Sequence, residues 1–571
     1  MSCSYLPTFQ DPQVIGAGPA GLMSAFALAR AGINVQIVDK HSKKVAAGQA
    51  DGVQPRTTEV FKSYRLSDRL LKEGTQLHVA AFYNCSKSGG IELTDRVPDV
   101  TATDTNFPFE VTLHQGAIED IFLDNMRDMG VEVSRPIIPT SLEVTEALVD
   151  DFDAYPVRLN TETKDERRTE IVYAKYVLGA DGARSWVRKS MGVVDLIPDT
   201  DFPDVRNKCA IHSNNGSCMI IPREDNKIRL YIQLDGKDVI DASGRVDKSK
   251  AGPEMILDVA CKTLHPFTIK TPESYDWWTI YVIGQRVAER YTVHNRVFIA
   301  GDACHTHLPK SGRSRHERGP AASMYDSYNL AWKLVHVLKG IAHPTLLQMY
   351  EFERQQYAQD LIDFDKKFSK LFSGKPYSEL NLDGVSHVEF LKAFQMFGGF
   401  TSGLGVQYTD SMIIDSKHQA QNIFIGRGLP PRPLLRAADC RPIDLHNLLV
   451  SDACFKLLVF TGDTHDPAQM ARVQEFAKQF SASGSFFAEF SSPDSMHKVF
   501  DIVPISSEKK ETIMYNALPR ILWSHWSKVL VDDIDMRGVT GIRPYGYVAA
   551  IAPLDGVSHI TSYFTTFMKV C

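Results

Sequence analysis

Two periods of apolar side chains divide the first part of this chain. In residues 14–40 a buried strand leads into a glycine turn, then a helix whose apolar face includes Leu22 and Phe26, then a second β-branched strand. In residues 205–285 apolar and polar side chains alternate, as they do in an antiparallel sheet with one covered face. The pattern therefore predicts an α/β unit and, later in the chain, an antiparallel sheet.

The pattern also predicts elements further along the chain. The pattern predicts a return to a buried strand in residues 295–303 and two long helices in residues 323–340 and 345–372. Residues 424–435 carry glycine and proline as a linker does, and the rest of the chain has the alternating βα rhythm of a small separate domain. At the other end, Pro12 cannot donate to a sheet ladder, which predicts a short first strand.

Composition narrows the class of protein. With 571 residues the chain is too long for one hydrophobic core, and 43% hydrophobic and 23% charged residues are ordinary for a globular protein. A formal net charge of -6 argues against nucleic acid or an anionic membrane as partner. Nine cysteines without a CxxC pair argue against a zinc site or a disulfide framework. Without an apolar leader, the chain is expected to be cytoplasmic.

A glycine motif at the first strand-to-helix junction predicts a dinucleotide site. Gly16, Gly18 and Gly21 form GxGxxG, in which the glycines allow a tight turn, close approach of a pyrophosphate, and close helix packing. Asp39 lies 18 residues after Gly21, at the end of the next strand, where an acid accepts hydrogen bonds from ribose hydroxyls. The motif alone leaves NAD, NADP and FAD open.

Two further stretches point to one family. Residues 179–188, "GADGARSWVR", and 296–309, "RVFIAGDACHTHLP", resemble the DG and GD motifs of the single-component flavoprotein aromatic hydroxylases, which have the p-hydroxybenzoate hydroxylase fold. Other stretches resemble the phenol 2-monooxygenase subgroup, including "GQADGVQPRTTEVF", "LHQGAIEDIF", "MIIPREDNKIRLYIQL" and "YDSYNLAWKL", and in the tail "RPIDLHNLL", "FKLLVFTGD" and "IRPYGYVAAI".

The resemblance implies an architecture of three parts. These are an α/β FAD-binding Rossmann-like domain, an antiparallel β-sheet substrate domain, and a C-terminal thioredoxin-like α/β domain that the family uses in subunit contacts. The expected boundaries are 1–200 and 286–375 for the FAD-binding domain, with part of 76–112 joining the substrate sheet, 201–285 for the substrate domain, 376–430 for a helical segment and linker, and 431–571 for the thioredoxin-like domain.

The resemblance also implies which residues bind cofactor. Asp302 matches the acid that contacts the ribitol chain, Gln115 matches a flavin-contacting glutamine, and Asp181 and Arg184 fit the motif associated with FAD and NADPH. His305 and His307 alternate on an extended segment with no third ligand nearby, so structural histidines rather than metal ligands are expected. The full set expected to bind FAD is Gly16, Gly18, Gly21, Asp39, Gln49, Gln115, Asp181, Arg184, Tyr231, Asp302 and Gly312.

Three residues are the catalytic candidates. Hydroxylation of a phenol requires an electron-rich ring, and a carboxylate that removes the phenolic proton makes the ring richer. Asp51 matches the family's active-site acid and is the candidate base, assisted by Arg229 and Tyr231. Because side chains on a strand repeat every two residues, Arg229 and Tyr231 are expected to share one face.

The resemblance implies hydroxylation of a phenolic substrate by a cytoplasmic homodimer, using FAD, NADPH and O2 by way of a flavin C4a-hydroperoxide. One alternative is a related flavin monooxygenase of secondary metabolism that acts on a larger phenolic or polyketide ring. A second is an inactive or FAD-deficient homologue, because residues 312–322, "GRSRHERGPAA", replace a family loop in which glycine lets the backbone approach the flavin. That stretch is expected to be a loop ahead of the helix at Ser323.

Overall fold

Three large β-sheets organise the chain, and a computed structural model shows how they are connected. The residues that the structure describes are 8–46, 51–86, 89–102, 104–163, 168–182, 190–213, 216–233, 252–270, 272, 274–282, 286–306, 315–373, 392, 398–400, 402–420, 423–490, 499–509, 518–519, 522, 529–530 and 538–570.

Most strands are short, and the longest has twelve residues and belongs to the first sheet. In chain order they are β1 (Thr8–Ile15), β2 (Gln36–Val38), β3 (Gly52–Val53), β4 (Thr75–Leu77), β5 (Val79–Cys85), β6 (Ile91–Pro98), β7 (Glu110–Thr112), β8 (Val133–Ser134), β9 (Ile137–Val144), β10 (Val157–Thr163), β11 (Arg168–Gly179), β12 (Ser190–Leu196), β13 (Lys208–Ser213), β14 (Gly216–Pro222), β15 (Ile228–Gln233), β16 (Trp277–Val282), β17 (Arg286–Val287), β18 (Thr292–Val293), β19 (Val297–Ile299), β20 (His305–Thr306), β21 (Pro433–Arg436), β22 (Pro442–Asp444), β23 (Phe455–Gly462), β24 (Phe500–Ser506), β25 (Val529–Leu530), β26 (Gly538–Ile542) and β27 (Val548–Ala552).

Helices cover the sheets. They are α1 (Pro19–Arg30), α2 (Pro55–Ser63), α3 (Ser67–Glu73), α4 (Gln115–Arg127), α5 (Pro253–Leu264), α6 (Arg315–Leu338), α7 (Gln348–Ser373), α8 (Pro467–Phe480), α9 (Phe486–Phe490) and α10 (Val557–Thr565). Within the described part of the chain, none of them is long and apolar enough to cross a membrane.

The first sheet has a parallel centre. Its strands run in the order β18-β19-β11-β1-β2-β8, and β1 pairs in parallel with β11 on one side and β2 on the other. The strand order therefore reverses at β1, because the next strand, β2, lies on one side of it and the much later β11 lies on the other. In open α/β sheets a ligand binds at the carboxyl ends of the strands, beside such a switch point.

The expectation of a short first strand is wrong. The strand β1 is eight residues long and central, and Pro12 lies within it, opposite Tyr176 of β11. The carbonyl of Ile15 accepts from the β11 side and the N–H of Gly16 donates to β2. Successive residues of a strand point their backbone groups to opposite neighbouring strands, so the nitrogen of Pro12, four residues before Gly16, also faces β2. The pairing of β2 with β1 begins only at Gln13. Pro12 is tolerated because no ladder bond is due there.

The second sheet has the order β16-β12-β15-β14-β13-β5-β6 and is antiparallel except between β13 and β5. Helix α5 covers its back face with buried side chains that include Ile256 and Leu264. The front face carries a separate apolar group formed by Leu77, Met219, Ile221 and Tyr231. The strand β12 pairs with both β15 and β16, so this sheet begins before residue 201, the expected start of the substrate domain.

A small sheet of β3, β7 and β4 is held against the second sheet by polar contacts. The Thr112 hydroxyl donates to the Pro222 carbonyl at 2.8 Å, and the buried Lys208 ammonium donates to the Glu110 carboxylate at 2.8 Å. Lys208 also lies 3.3 Å from an oxygen of the buried Asp99. These contacts fix β7, and Asp51, the residue directly before β3, is fixed with it because the Leu113 N–H donates to the carbonyl of Asp51.

The third sheet, in the order β22-β21-β25-β24-β23-β26-β27, mixes parallel and antiparallel pairs and is flanked by α8 and α10. The stretch 424–435, expected to be a linker, is packed onto it. Its last residues enter β21, the Gly426 N–H donates to Val548, and Leu429 is buried. A Gly- and Pro-rich composition was therefore not enough to identify a free linker, because Gly426 and Arg427 bond the first residue of β27, Val548.

The expected loop at residues 312–322 is also corrected. Helix α6 begins at Arg315, so residues 315–322 are helical rather than part of a loop that ends at Ser323. Helix propensity does not explain this extension, because Gly319 and Pro320, which disfavour a helix interior, lie within it beside the helix-forming arginine, glutamate and alanine residues. Gly312 itself lies outside the described residues.

A buried ionic cluster joins the first sheet's helices to the third sheet. Glu353 of α7 binds Arg543, which follows β26, and accepts a hydrogen bond from Lys333 of α6 at 3.0 Å. Burial alone would raise the pKa of Glu353, but the two cations bring it to about 2. Burial lowers the pKa of Lys333 to about 8, since it outweighs the nearby carboxylate.

Arg543→Met removes a cation from this cluster while conserving much of the volume. Because a buried charge loses its partner, we expect the free energy of unfolding to fall by about 3 kcal/mol in urea denaturation. The same change at Arg436, which pairs with Asp439 at the surface, is the control and should cost about 1 kcal/mol or less. Equal losses in both variants would contradict the structural weight assigned to the cluster.

Candidate active site

Four loops meet at the carboxyl edge of the first sheet. They follow adjacent parallel strands and carry Gly16 after β1, Asp39 after β2, Asp181 after β11 and Asp302 after β19. Side-by-side placement is direct between the first and third, because a Cβ on Gly16 would lie 2.9 Å from the Asp181 Cα. Residues that are far apart in sequence are therefore brought to one edge by strand order alone.

The three motif glycines differ in what requires them. Gly16 has a φ of 100°, and a Cβ there would meet the Ala180 carbonyl oxygen at 2.4 Å. A Cβ on Gly21 would lie 1.8 Å from the Gly16 oxygen, so its absence allows α1 to pack against the turn. Around Gly18 no described protein atom lies within 4 Å of a Cβ position.

Gly18 is also the N-cap of α1 and, having no side chain, makes no capping bond to the first amide groups of the helix. The open space and the amide groups of the helix N-terminus fit the pyrophosphate of a dinucleotide.

Asp39 is held in its charged form. One carboxylate oxygen accepts from the Ala17 N–H at 2.8 Å, and the other from the His41 N–H at 2.7 Å. Burial alone would raise its pKa, but these hydrogen bonds and the charge of Arg135 lower it. The oxygen facing Ala17 keeps a second acceptor position, as a ribose hydroxyl requires.

Asp302 lies in a short 3-10 turn directly after β19. The preceding Gly301 has a φ of 68°, and a Cβ there would meet the Ser323 Cβ at 2.9 Å. The Ser323 hydroxyl donates to Asp302 at 3.4 Å, and the loop therefore rests on α6. Asp181, by contrast, is exposed to solvent.

Gln115 is the first residue of α4, and its side-chain amide donates to Glu119 at 2.7 Å. The other Glu119 oxygen accepts from the Val45 N–H at 3.4 Å. Lys44, next to Val45, binds Asp120 and donates to the Gly116 carbonyl. The first turn of α4 thus holds residues 44–45, the stretch that leads toward Asp51. Gln49, Arg184 and Gly312 lie outside the described residues.

Asp51 is fully buried between two arginines. One of its oxygens is 2.9 Å from an Nη of Arg223 and 3.0 Å from an Nη of Arg229. Arg223 also binds Glu224, and Arg229 lies over the Trp277 ring at 5.0 Å. The two guanidinium groups stabilise a carboxylate that water does not reach.

Arg223 was missed in the sequence reasoning, which considered Arg229 alone. Strands β14 and β15 form a hairpin, and Arg223 follows the last residue of β14, Pro222, which pairs with the first residue of β15, Ile228. The signal was present in "MIIPREDNKIRLYI", because a short hairpin returns the chain to the same end. Pairing the two strands in register would have placed the two arginines together.

Tyr231 lies on the same face of β15 as Arg229. It pairs with Met219 across β14 and is buried in the apolar group of the front face, and Trp277 packs against both that group and Arg229. Arg229 and Tyr231 thus share one face, as the two-residue period predicted, and the contact with Arg229 brings Asp51 to the same side of the second sheet. His305 is buried and binds Asp326 at 2.8 Å, which gives it a structural partner; His307 lies outside the described residues.

Comparison with known proteins agrees with this geometry. The profile of the FAD binding domain family matches residues 11–365, and that of the phenol hydroxylase C-terminal dimerisation domain matches residues 406–570. The phenol 2-monooxygenase fsqG of Aspergillus fumigatus is 31% identical over 97% of this chain and 95% of its own length. The 3-hydroxybenzoate 4-monooxygenase of Comamonas testosteroni is 33% identical over 99% of this chain and 96% of its own.

A solved structure shares the fold. The ternary complex of aklavinone-11 hydroxylase with FAD and aklavinone superposes with a TM-score of 0.68 at 19% identity, covering 98% of this chain and 99% of that one. Site, fold and sequence matches together define a flavin monooxygenase. The chain belongs to the FAD-dependent aromatic hydroxylases of the phenol 2-monooxygenase type, which confirms the family and the fold class expected from the sequence.

The two glycines that differ in their surroundings separate binding from folding. Gly18→Ala should weaken FAD binding at least about tenfold by filling the pyrophosphate space, and should cost the FAD-free chain no more than about 1 kcal/mol at the N-cap, because its Cβ meets no described protein atom. Gly21→Ala should lower the free energy of unfolding even without FAD, by about 3 kcal/mol of overpacking. Fluorescence titration with FAD and urea denaturation measure the two effects. A destabilised Gly18→Ala chain with normal FAD affinity would contradict this assignment.

Glu119 predicts a pH-dependent stability. Burial raises its pKa from 4.5 to about 7, more than the Gln115 and Val45 hydrogen bonds lower it. Because the folded-state pKa lies above the ordinary value, ionisation opposes folding, and stability is lost as pH rises from 4.5 to about 7. Glu119→Gln cannot ionise, so relative to the natural chain it should gain about 3 kcal/mol near pH 8 and nothing near pH 4.

Urea denaturation of both chains at the two pH values measures this difference. The exposed Glu475 accepts a hydrogen bond from Gln479 and provides the control variant Glu475→Gln. The stability of this variant should equal that of the natural chain at both pH values. A constant difference between Glu119→Gln and the natural chain across pH would refute the shifted pKa.

Proposed function

We propose that this chain hydroxylates a phenolic substrate with NADPH and O2, using FAD as its cofactor. The observation that carries the proposal is the buried carboxylate of Asp51 between Arg223 and Arg229, directly before β3, which packs on α6 as the turn that carries Asp302 also does. The carbonyl of Asp51 is bonded to Leu113, two residues before Gln115, which places the acid beside the start of α4.

In this proposal Asp51 accepts the proton of the substrate hydroxyl. A carboxylate is needed for this step, and the two arginines keep the acid ionised before the phenol arrives and stabilise the phenolate that forms. Tyr231 and the apolar side chains of the front face form the wall against which an aromatic ring packs. Asp51 and Arg229 are both fully buried, so proton removal takes place away from water.

The carboxyl edge of the first sheet is the proposed FAD site. Gly18 and the N-terminus of α1 would hold the pyrophosphate, Asp39 the adenosine ribose, Asp302 the ribitol chain, and Gln115 the flavin end. When bound, FAD supplies the electron transfer and oxygen activation that side chains cannot perform. The exposed position of Asp181 supports a contact with a substrate that comes and goes, as NADPH does. Gln49, Arg184 and Gly312 remain predicted FAD contacts.

The C-terminal region supports a homodimer, because the matched family at residues 406–570 is described as a dimerisation domain. The three domains predicted from the sequence remain the proposed division, with β12 assigned to the substrate sheet and residues from 406 onward to the C-terminal domain. A second candidate substrate is a larger polyketide ring, favoured by the fold shared with aklavinone-11 hydroxylase.

Product analysis tests the reaction. The purified chain is incubated with NADPH, ¹⁸O₂ and a panel that contains simple phenols, hydroxybenzoates and polycyclic phenols, and the masses of the products are measured by mass spectrometry. Incorporation of one labelled oxygen atom into a single-ring phenol supports the first candidate, and labelling confined to polycyclic phenols supports the second. NADPH oxidation without a labelled product from any phenol would refute hydroxylation.

Asp51→Asn tests the proposed base. The amide cannot accept the proton, so we expect the rate of hydroxylation at neutral pH to fall about a hundredfold or more. The rate of the variant should recover toward pH 10, where a phenol ionises at about its own pKa without a base. Glu224→Gln is the control, because it removes the other carboxylate bound to Arg223, and it should retain most of the activity. Unchanged hydroxylation across pH in Asp51→Asn would remove Asp51 as the base.

A further inference from the structure

One buried carboxylate outside the proposed catalytic group contacts the loop that carries Asp302. Asp326 of α6 is fully buried, and one of its oxygens accepts from the Gly301 N–H at 2.9 Å. The same oxygen accepts from Nε2 of His305 at 2.8 Å, and the other oxygen from Nε of Arg354 at 2.7 Å. Both sides of the 3-10 turn at residues 301–303 are therefore tied to a single side chain.

These bonds determine where Asp302 points. Gly301 is in the left-handed region, and its N–H donates to Asp326 in that conformation. The turn is closed on its other side by the bond from the Cys304 N–H to the Gly301 carbonyl, and His305 follows directly. Asp302 is thus flanked by two residues, Gly301 and His305, that are both bound to Asp326.

The carboxylate is charged and its own position is set by α7. Burial alone would raise the pKa of Asp326, but the charges of His305 and Arg354 hold it below its ordinary value. Arg354 is held in turn, because it donates to the Tyr408 hydroxyl at 3.1 Å and lies over the Tyr357 ring at 4.2 Å. A charged acceptor makes a stronger hydrogen bond to the Gly301 N–H than a neutral one would.

We propose that Asp326, fixed by His305 and Arg354, is a positioning residue that holds the Gly301–Asp302 turn in the conformation that binds FAD. It acts through the backbone of Gly301 rather than by touching the cofactor. The proposal rests on the proposed contact of Asp302 with FAD and gives a role to His305, a histidine of the "HTH" stretch. It predicts that losing the charge of Asp326 weakens cofactor binding beyond any loss of stability.

The chain offers a matched control for this test. Asp204 is also a buried aspartate with a pKa below its ordinary value, and it too binds an arginine, Arg96, together with Tyr83 and Asn207. It lies on the back of the second sheet, beside the cluster covered by α5, and not at the carboxyl edge. Asp204→Asn therefore removes an equivalent charge at a site without contact to the flavin loop.

The experiment measures the Kd for FAD and the urea midpoint of the full chain after removal of its FAD. Asp326→Asn should raise the Kd at least about tenfold, as the loss of hydrogen bonds to a charged group implies, and should shift the absorption bands of the bound flavin. Asp204→Asn should lower the urea midpoint and leave the Kd within about twofold. An unchanged Kd in Asp326→Asn, or equal increases in both variants, would overturn the proposal.

A second pair keeps the test decisive if Asp326→Asn does not fold. His305→Ala should raise the Kd, whereas His305→Gln, whose side-chain amide supplies a donor at a similar distance, should restore it. Equal Kd values in these two variants would overturn the proposal. If the natural chain itself fails to bind FAD, the proposed function falls as well. If the natural chain binds FAD and the variants bind it equally well, only the positioning role of Asp326 falls.

Discussion

The parallel pairing of β19, β11, β1 and β2 is the constraint on which the rest of the structure depends. It brings the ends of four strands to one edge, although the residues that follow them are spread from Gly16 to Asp302. The close contact between the Gly16 turn and Ala180 leaves no room for a side chain, so this arrangement requires glycine there. The open space beside Gly18 is what remains for a cofactor.

The proposed catalytic group depends on a second arrangement, the docking of the small sheet against the large antiparallel one. Buried polar contacts at Thr112 and Lys208 hold β7, and Asp51 is bonded to the residue that follows it. The charges balance locally, with Asp51 and Glu224 against Arg223 and Arg229. A carboxylate can therefore stay ionised in a dry site, which is the condition for removing a proton from a phenol.

Local patterns predicted much of this, and contacts distant in sequence account for the rest. The glycine motif, Asp39 and the shared face of Arg229 and Tyr231 follow from spacing along single elements. Pro12 was misjudged because its effect depends on where β2 stops. The start of α6 was misjudged because a loop was expected there, and local propensity does not reveal the helix, since Gly319 and Pro320 lie in its first turns.

The roles of Arg223 and Asp326 depend on hairpin register and on helix packing. Neither contact can be inferred from a single segment of the sequence. Both residues bind through charge to a partner whose own position is set by another element, so the paired elements must be known before the contact can be seen.

The absorption spectrum of the purified chain tests the central claim, that the carboxyl edge of the first sheet binds FAD beside a buried acid. The account predicts the two visible bands of oxidised flavin in the protein as purified or after addition of FAD and removal of the excess, and a change in those bands when a phenol binds next to Asp51. A colourless protein that takes up no FAD would contradict it.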